Sequence, residues 1–140
     1  ERSPLRGLKT TSYAENAVAL AEAKAECHSE ALLANLAGDL CEGTGSNVFV
    51  VKGDELITPP LDSGCLAGIT RALVLKWCVA REAAIPMADL SQADEIFITS
   101  STRNIHPVMR VDVRHMPSDR PVTTRCQEIF ARRVAENPDP

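Results

Sequence analysis

The sequence predicts an α+β fold in which a largely antiparallel sheet is flanked by helices. Short β-rich runs follow one another in pairs, with turn residues between them, which is typical of hairpins. Apolar residues recur at helical spacing near the beginning, in the middle and at the end of the chain. Because these runs do not alternate regularly between strand and helix, a series of βαβ units is disfavoured.

The first part of the chain predicts a helix followed by a hairpin. Residues 11–27 carry apolar side chains at helical spacing, namely Ala14, Val18, Ala21 and Ala25. Residues 30–36 then predict a strand, residues 38–39 a turn, and residues 40–41 a short returning strand.

The middle of the chain predicts a second hairpin and a loop. Residues 47–51 are nearly all apolar and β-rich, which indicates a buried strand. A turn at residues 52–54 leads into its partner strand at residues 55–57. The prolines at residues 59–60 end this pair, because proline has no N–H group to donate, and residues 61–68 form a glycine-containing loop.

The second half predicts a helix and a further pair of extended segments. The helix has Pro86 as its stop signal, and one face of it carries Ile69, Leu73, Trp77, Ala80 and Ala84. Residues 95–99 predict another buried strand. Residues 105–113 are extended, with an interruption at Pro107.

The C-terminal part predicts a loop and a last helix. Residues 112–120 are rich in charge and are expected to form an exposed loop. Residues 121–136 predict an amphipathic helix through Val122, Cys126, Ile129 and Val134, and residues 137–140 a frayed tail.

The bulk composition bounds the class of protein. With 140 residues, of which 44% are apolar and 24% charged, residues 1–140 are predicted to form a single soluble domain. The net charge of -4 and the pI near 5.4 argue against a nucleic-acid partner, which usually needs a basic surface. No apolar run approaches the ~20 residues of a membrane-spanning helix. The chain starts at Glu1 rather than Met, so we expect that an N-terminal part is missing.

The cysteines predict no metal site. No two of them form a CxxC pair, and only His28 adjoins a cysteine. We therefore expect reduced thiols and a cytoplasmic location for the five residues Cys27, Cys41, Cys65, Cys78 and Cys126.

Lys9 and the acidic segment Glu42-Gly43-Thr44-Gly45 carry the most chemical information. A lysine amine forms a Schiff base with an aldehyde, and a glutamate can hold a proton on a ring nitrogen. Taken singly, Lys9 is better explained as a solvated surface residue, and Glu42 as part of a glycine-rich hairpin.

Two further segments present groups that suit an anion. Leu66-Ala67-Gly68-Ile69-Thr70-Arg71 places a glycine at a predicted helix start, where N–H groups and the positive dipole end suit a phosphate dianion. The hydroxyl-rich residues 99–102 follow the end of a predicted strand. Taken singly, the first segment is an ordinary helix cap and the second a polar turn.

All four segments, in this order, resemble the class IV (fold-type IV) pyridoxal-phosphate-dependent aminotransferase family. The flanking segments Asn47-Val48-Phe49 and Asp94-Glu95-Ile96-Phe97 match as well. The family includes branched-chain and D-amino-acid aminotransferases and aminodeoxychorismate lyases. The resemblance spans about residues 8–113 and matches the larger, C-terminal cofactor domain. It implies the D-amino-acid-aminotransferase-like fold, with a mostly antiparallel pseudo-barrel sheet, and a small N-terminal domain that this chain lacks.

The resemblance implies pyridoxal 5'-phosphate as the cofactor and a role for each matching residue. Lys9 would be the catalytic Schiff-base lysine, Tyr13 would bind the phenolic oxygen of the cofactor, and Glu42 would contact its ring nitrogen. Leu66 would pack against the ring. The phosphate and the substrate carboxylate would be held by Ile69, Thr70, Ser101 and Thr102, although a plain polar turn explains Thr102 equally well.

Two classes of function follow from the resemblance. The first is an enzyme, either an aminotransferase that uses a 2-oxo acid or a lyase that releases pyruvate from 4-amino-4-deoxychorismate to leave 4-aminobenzoate. The second is a non-catalytic remnant or a cofactor-binding module of the same fold. Ser46 stands where branched-chain enzymes often carry glutamate, which weakly disfavours branched-chain substrates. We expect a small amino acid, oxo acid or aminodeoxychorismate as substrate, a homodimer, and no turnover by residues 1–140 alone.

Overall fold

The computed structural model describes Gly7 and residues 13–137. The predicted lysine, Lys9, lies outside the described residues. In chain order the described elements are α1 (Ala14–Ala25), β1 (Leu32–Ala34), β2 (Leu40–Gly43), β3 (Asn47–Lys52), β4 (Glu55–Thr58), α2 (Ile69–Trp77), β5 (Arg81–Glu82), β6 (Glu95–Ser100), β7 (Asn104–Pro107), β8 (Arg110–Val111), β9 (Arg114–His115) and α3 (Pro121–Glu136). Short 3-10 helices cover Leu61–Ser63 and Met87–Gln92.

A five-stranded sheet in the order β5-β4-β3-β6-β7 forms the centre of the molecule. Strand β3 pairs antiparallel with β4 and with β6, and β6 pairs antiparallel with β7. Of the strand pairs in the described part of the chain, only β4 and β5 run parallel. Two hairpins, β1–β2 and β8–β9, stand outside this sheet. The predicted α+β fold with a largely antiparallel sheet is confirmed.

Both faces of the central strands are buried, which explains why β3 and β6 are apolar without alternation. Phe49 and Phe97 stack at a centroid distance of 5.0 Å. On their face of the sheet they pack with residues of α2 and α3, such as Val74 and Phe130. The opposite face is covered by residues that follow β4 and β7, with Ile85, Leu90 and Met116 in its cluster.

The start of α3 is held by a buried carboxylate on the sheet. Glu95 opens β6, and its Oε1 accepts the N–H of Val122 at 3.0 Å while its Oε2 accepts that of Thr123 at 2.7 Å. A carboxylate that accepts the first N–H groups of a helix also complements the helix dipole. The last predicted helix is thereby confirmed and fixed to the sheet.

The predicted second helix is too long at its C-terminal end. Helix α2 ends at Trp77, so Ala80 and Ala84 are not part of it. Val79 turns the chain with a positive φ of 54°. Arg81–Glu82 then pairs with β4 as strand β5, and this tertiary pairing overrides the local helical pattern.

The segment after β6 also differs from the prediction. Residues 105–113 do not form one extended run, because the chain turns at Asp112, whose φ is 48°, and forms the β8–β9 hairpin. The predicted exposed loop 112–120 contains β9 and the buried Met116, which joins the core cluster. No helix in residues 13–137 has the length and apolar content needed to cross a membrane.

We expect Val79→Gly to raise the free energy of unfolding by roughly 1 kcal/mol, because a β-branched residue is strained at positive φ whereas glycine is not. Val79 is 94% exposed, so the substitution removes little packing. Urea denaturation measures the change. Val113→Gly is the matched control, since Val113 is 93% exposed but lacks a positive φ. Equal effects of the two substitutions would contradict the strain at Val79.

Candidate active site

Three of the four predicted segments meet at one edge of the central sheet. Asn47, at the start of β3, is the Cα partner of Thr99 near the end of β6. The side-chain Nδ2 of Asn47 donates to the carbonyl oxygen of Leu66 at 2.8 Å. Asn47 therefore connects the end of β6 with the loop that leads into α2, although these segments lie far apart in the sequence.

The backbone of Leu66 is held at both of its polar groups. Glu42 Oε2 accepts the N–H of Leu66 at 2.8 Å, and Asn47 donates to its carbonyl oxygen. A Cβ atom on Gly68 would lie 2.1 Å from Oδ1 of Asn47, so a larger residue at this position would force the Asn47 side chain to move. The glycine predicted from the motif thus permits the close approach of Asn47.

Glu42 is a half-buried acid without a cationic partner among the described residues. Burial raises the pKa of the Glu42 carboxyl above its usual value, the Leu66 N–H partly lowers it, and the negative charge of Glu30 raises it further. Its Oε1 has no hydrogen-bond partner in the described part of the chain. A cation placed beside this oxygen would relieve the cost of the buried charge.

Two groups of backbone N–H donors are available for an anion. Within residues 13–137, the N–H groups of Ile69, Thr70 and Arg71 at the start of α2 have no acceptor. The same holds for Ser101 and Thr102 in the exposed turn between β6 and β7. Such donors at a helix N-terminus and in a turn suit a phosphate or carboxylate.

Two buried hydroxyl groups of the motifs also have no hydrogen-bond partner within the described part of the chain. They are Oγ1 of Thr44, which follows Gly43, and Oγ1 of Thr99 at the end of β6. An unsatisfied buried polar group costs about 1–3 kcal/mol, so native proteins usually satisfy it with a ligand or water. By strand alternation, Thr99 lies on the same face as Asn47 and α2.

The described residues on both sides of Lys9 lie close to the site segments. A Cβ atom on Gly7 would lie 3.7 Å from the carbonyl oxygen of Cys65, directly before Leu66. Asn16, in the first turn of α1, donates through Nδ2 to the carbonyl oxygen of Thr44 at 3.0 Å. Tyr13 flanks the N-terminus of α1 and is 37% exposed.

Glu30 and Arg103 also bind the site segments, although no sequence motif predicts them. Glu30 Oε1 accepts the N–H of Gly45 at 2.6 Å and the hydroxyl of Ser46 at 2.8 Å. Its Oε2 accepts Nη2 of Arg103 at 2.6 Å. The two residues are far apart in the sequence and belong to no predicted motif, so no local signal marks them.

A cavity of about 930 Å³ lies elsewhere, between α1, residues 27–33 and the segment from β7 to β9. None of the predicted site residues within the described part of the chain lines it. The converging carboxylate and N–H donors locate the candidate site better than cavity size does, because they supply the chemistry.

Gly68→Ala is expected to displace the Asn47 side chain and break its hydrogen bond to Leu66. Loss of a buried hydrogen bond costs about 1–3 kcal/mol, which urea denaturation would detect. Gly45→Ala is the matched control, since its Cβ would lie at an ordinary 3.7 Å from Glu30 Oε1. Similar destabilisation by both variants would refute the close-approach argument.

Glu42→Gln is expected to alter how stability depends on pH in the cofactor-free protein. Because the pKa of Glu42 is raised on folding, its contribution is fully present below the unfolded pKa and is lost as pH rises through the folded pKa. The variant should lack this loss and be the more stable protein at neutral pH. Thermal unfolding across a pH series measures the difference.

The control for this experiment is Glu55, whose pKa is shifted in the opposite direction to that of Glu42. A hydrogen bond from Arg81 lowers the pKa of the exposed Glu55 carboxyl, so Glu55→Gln should remove a small stabilisation that is present above the unfolded pKa. A wild-type pH profile that Glu42→Gln leaves unchanged would disprove the burial cost at Glu42.

Comparison with known proteins places the chain in a family. The family model for amino-transferase class IV matches residues 1–111. A Synechocystis protein, provisionally named a branched-chain-amino-acid aminotransferase, is 35% identical over 144 residues, covering 98% of this chain and 46% of that protein. The chain thus spans about half the length of the curated relatives it matches.

Solved structures agree with this placement. A Legionella pneumophila protein provisionally named 4-amino-4-deoxychorismate lyase has a TM-score of 0.89 at 27% identity, covering 94% of this chain and 51% of that one. An aminotransferase from Brucella abortus bound to the co-factor PLP has a TM-score of 0.81 at 32% identity, covering 88% and 45%. The chain belongs to the class IV aminotransferase family.

Proposed function

We propose that residues 1–140 form the cofactor-carrying half of a pyridoxal-phosphate-dependent class IV enzyme acting on a small amino-acid-type substrate. The observation that carries the proposal is the convergence of a half-buried carboxylate at Glu42, which has no cationic partner among the described residues, with two sets of N–H donors that have no acceptor within residues 13–137. Pyridoxal 5'-phosphate is the cofactor found in solved relatives of this family. Its phosphate and its basic ring nitrogen need these two kinds of partner.

The donors fit a phosphate dianion. Ile69 and Thr70 present N–H groups at the positive end of α2, and the Thr70 side chain is buried beside them. Ser101 presents an N–H group and a hydroxyl from the turn after β6, with Thr102 next to it for a substrate carboxylate. Hydrogen bonds to a charged acceptor are roughly twice as strong as neutral ones, so four such donors suffice to orient the anion.

Glu42 fits a cationic ring nitrogen. Its Oε2 is occupied by the Leu66 N–H, which leaves Oε1 to hold a proton on the ring. The bound cofactor supplies an electron sink for the substrate's α-carbon. Glu42 would sustain that property by keeping the ring nitrogen protonated. Leu66 would pack against the ring, and Tyr13 would donate a hydrogen bond to the phenolic oxygen.

Lys9 is proposed as the covalent and catalytic residue. Its amine would hold the aldehyde group of the cofactor and, once free, would move a proton at the substrate's α-carbon. The position of Gly7 close to Cys65 and the hydrogen bond from Asn16 to Thr44 support this assignment, because both flanks of the segment lie at the site.

Borohydride reduction followed by peptide mapping is expected to place the pyridoxyl group on Lys9. The reduction fixes the carbon–nitrogen bond, so the modified peptide identifies the attached lysine. Lys9→Arg should abolish the adduct, whereas Lys52→Arg is a matched control because Lys52 binds Asp89 on the surface. An adduct confined to Lys24, Lys52 or Lys76 would overturn the assignment.

The whole protein is proposed to contain a further N-terminal domain and to act as a cytoplasmic homodimer. The support for the further domain is that the chain covers less than half of its curated relatives. A site formed between two domains loses one wall when a domain is missing, and water then reaches the reacting carbon. Residues 1–140 alone are therefore expected to bind cofactor weakly and not to turn over substrate.

The reaction is proposed to be amino transfer, with pyruvate-releasing lyase activity as the second candidate. The named relatives favour transfer, and the Legionella structure favours the lyase. Assays of the complete protein with 2-oxoglutarate and with 4-amino-4-deoxychorismate separate the two. A complete protein that binds the cofactor on Lys9 but turns over neither substrate class would be a non-catalytic binding module.

A further inference from the structure

We propose that Glu30 and Arg103 are positioning residues that tether the turn carrying Ser101 and Thr102 to the loop after Glu42. The role in cofactor binding rests on the proposed function, whereas the contacts of Glu30 and Arg103 are observed independently of that function. The tether joins the anion-binding side of the candidate site to the side that carries the acid.

The Glu30 carboxylate is shared between the two sides. Its Oε1 binds the loop after Glu42 through the Gly45 N–H and the Ser46 hydroxyl. Its Oε2 binds the Arg103 guanidinium at 2.6 Å. Glu30 is 8% exposed and Arg103 33% exposed, so the pair is better shielded from water than an ordinary surface ion pair.

Arg103 directly follows the turn residues that it would orient. Its backbone N–H donates to Ser100 at the carbonyl oxygen and at Oγ, each at 3.3 Å, and closes the turn. Ser100 Oγ also lies 3.2 Å from Oγ1 of Thr102. The side chain of Arg103 adds an anchor outside the turn, so the direction of the Ser101 and Thr102 N–H groups depends on Glu30.

The pair also sets the charge near Glu42. The pKa of Glu42 is raised by burial, lowered by the Leu66 N–H and raised by Glu30. Glu42 in turn raises the pKa of the neighbouring Cys65 thiol, on which the charges of Arg71 and Glu82 also act. Glu30 raises the pKa of Glu42, and Arg103 is the cation bonded to Glu30. Removing Arg103 leaves the Glu30 charge uncompensated, whereas removing the Glu30 charge relieves Glu42.

The Glu30→Gln variant distinguishes the loss of the Glu30–Arg103 tether from the electrostatic effect of removing a negative charge. The variant keeps an oxygen for the Gly45 N–H, but its amide cannot accept from Arg103. It also removes a negative charge close to an anion-binding turn, so plain electrostatics predicts tighter binding of phosphate. Loss of the tether predicts weaker binding of phosphate. The two explanations therefore predict opposite changes in phosphate affinity.

The test measures inorganic phosphate binding and the titration of Glu42 in the cofactor-free full chain. Phosphate binding is followed by the amide shifts of Ser101 and Thr102, and the pKa of Glu42 by carboxyl ¹³C shifts. We expect Glu30→Gln and Arg103→Met each to weaken phosphate binding on the order of tenfold, as coupled contacts do. The pKa of Glu42 should fall in Glu30→Gln and rise in Arg103→Met, and Arg103→Lys should restore part of both properties.

Arg81→Met is the matched control, because it removes an exposed ion pair with Glu55 away from the site. Unchanged or tighter phosphate binding in Glu30→Gln overturns the tether, and so does a Glu42 titration that neither variant shifts relative to the control. If Arg103→Met does not fold, Glu30→Gln and Arg103→Lys still decide the question. These readouts need no cofactor, so they stay informative if borohydride fails to label Lys9.

Discussion

The two hydrogen bonds that hold Leu66 determine how the candidate site is assembled. Glu42 and Asn47 belong to different strands, and they bind the N–H and the carbonyl oxygen of the same residue. The loop before α2 is thereby fixed to the sheet, and the first turn of α2 is fixed with it. Because Asn47 also pairs with Thr99, the same asparagine sets the distance between the helix start and the β6–β7 turn.

The site is held in a state that costs stability. Burial and the neighbouring Glu30 both disfavour the charged form of Glu42, and the buried hydroxyl groups of Thr44 and Thr99 have no partner among the described residues. Such costs are tolerated only where the surrounding structure is firm. Here the rigidity comes from the core around the stacked rings of Phe49 and Phe97. Their strands meet at the site, where β3 begins and β6 ends. Packing in the core stabilises the fold enough to offset the cost of these buried polar groups, which therefore stay in place for a ligand.

Sequence could predict those parts of the molecule that are encoded locally. The glycine at position 68, the acid at position 42 and the strand before Thr99 are each marked by neighbouring residues, and the structure joins these three segments. The end of α2 was predicted wrongly, because the pairing of Arg81–Glu82 with β4 depends on a distant strand. Glu30 and Arg103 could not be found for the same reason. The roles of Lys9 and Tyr13 remain predictions.

The exposed β6–β7 turn can change its side chains without disturbing the fold. Ser101 and Thr102 make no contribution to either core cluster, and their side chains face outward. Substitutions there change which groups meet an incoming molecule without disturbing the sheet that orients the backbone. The choice of incoming molecule can therefore change through a few surface side chains, while the buried strands keep the backbone of the turn in place.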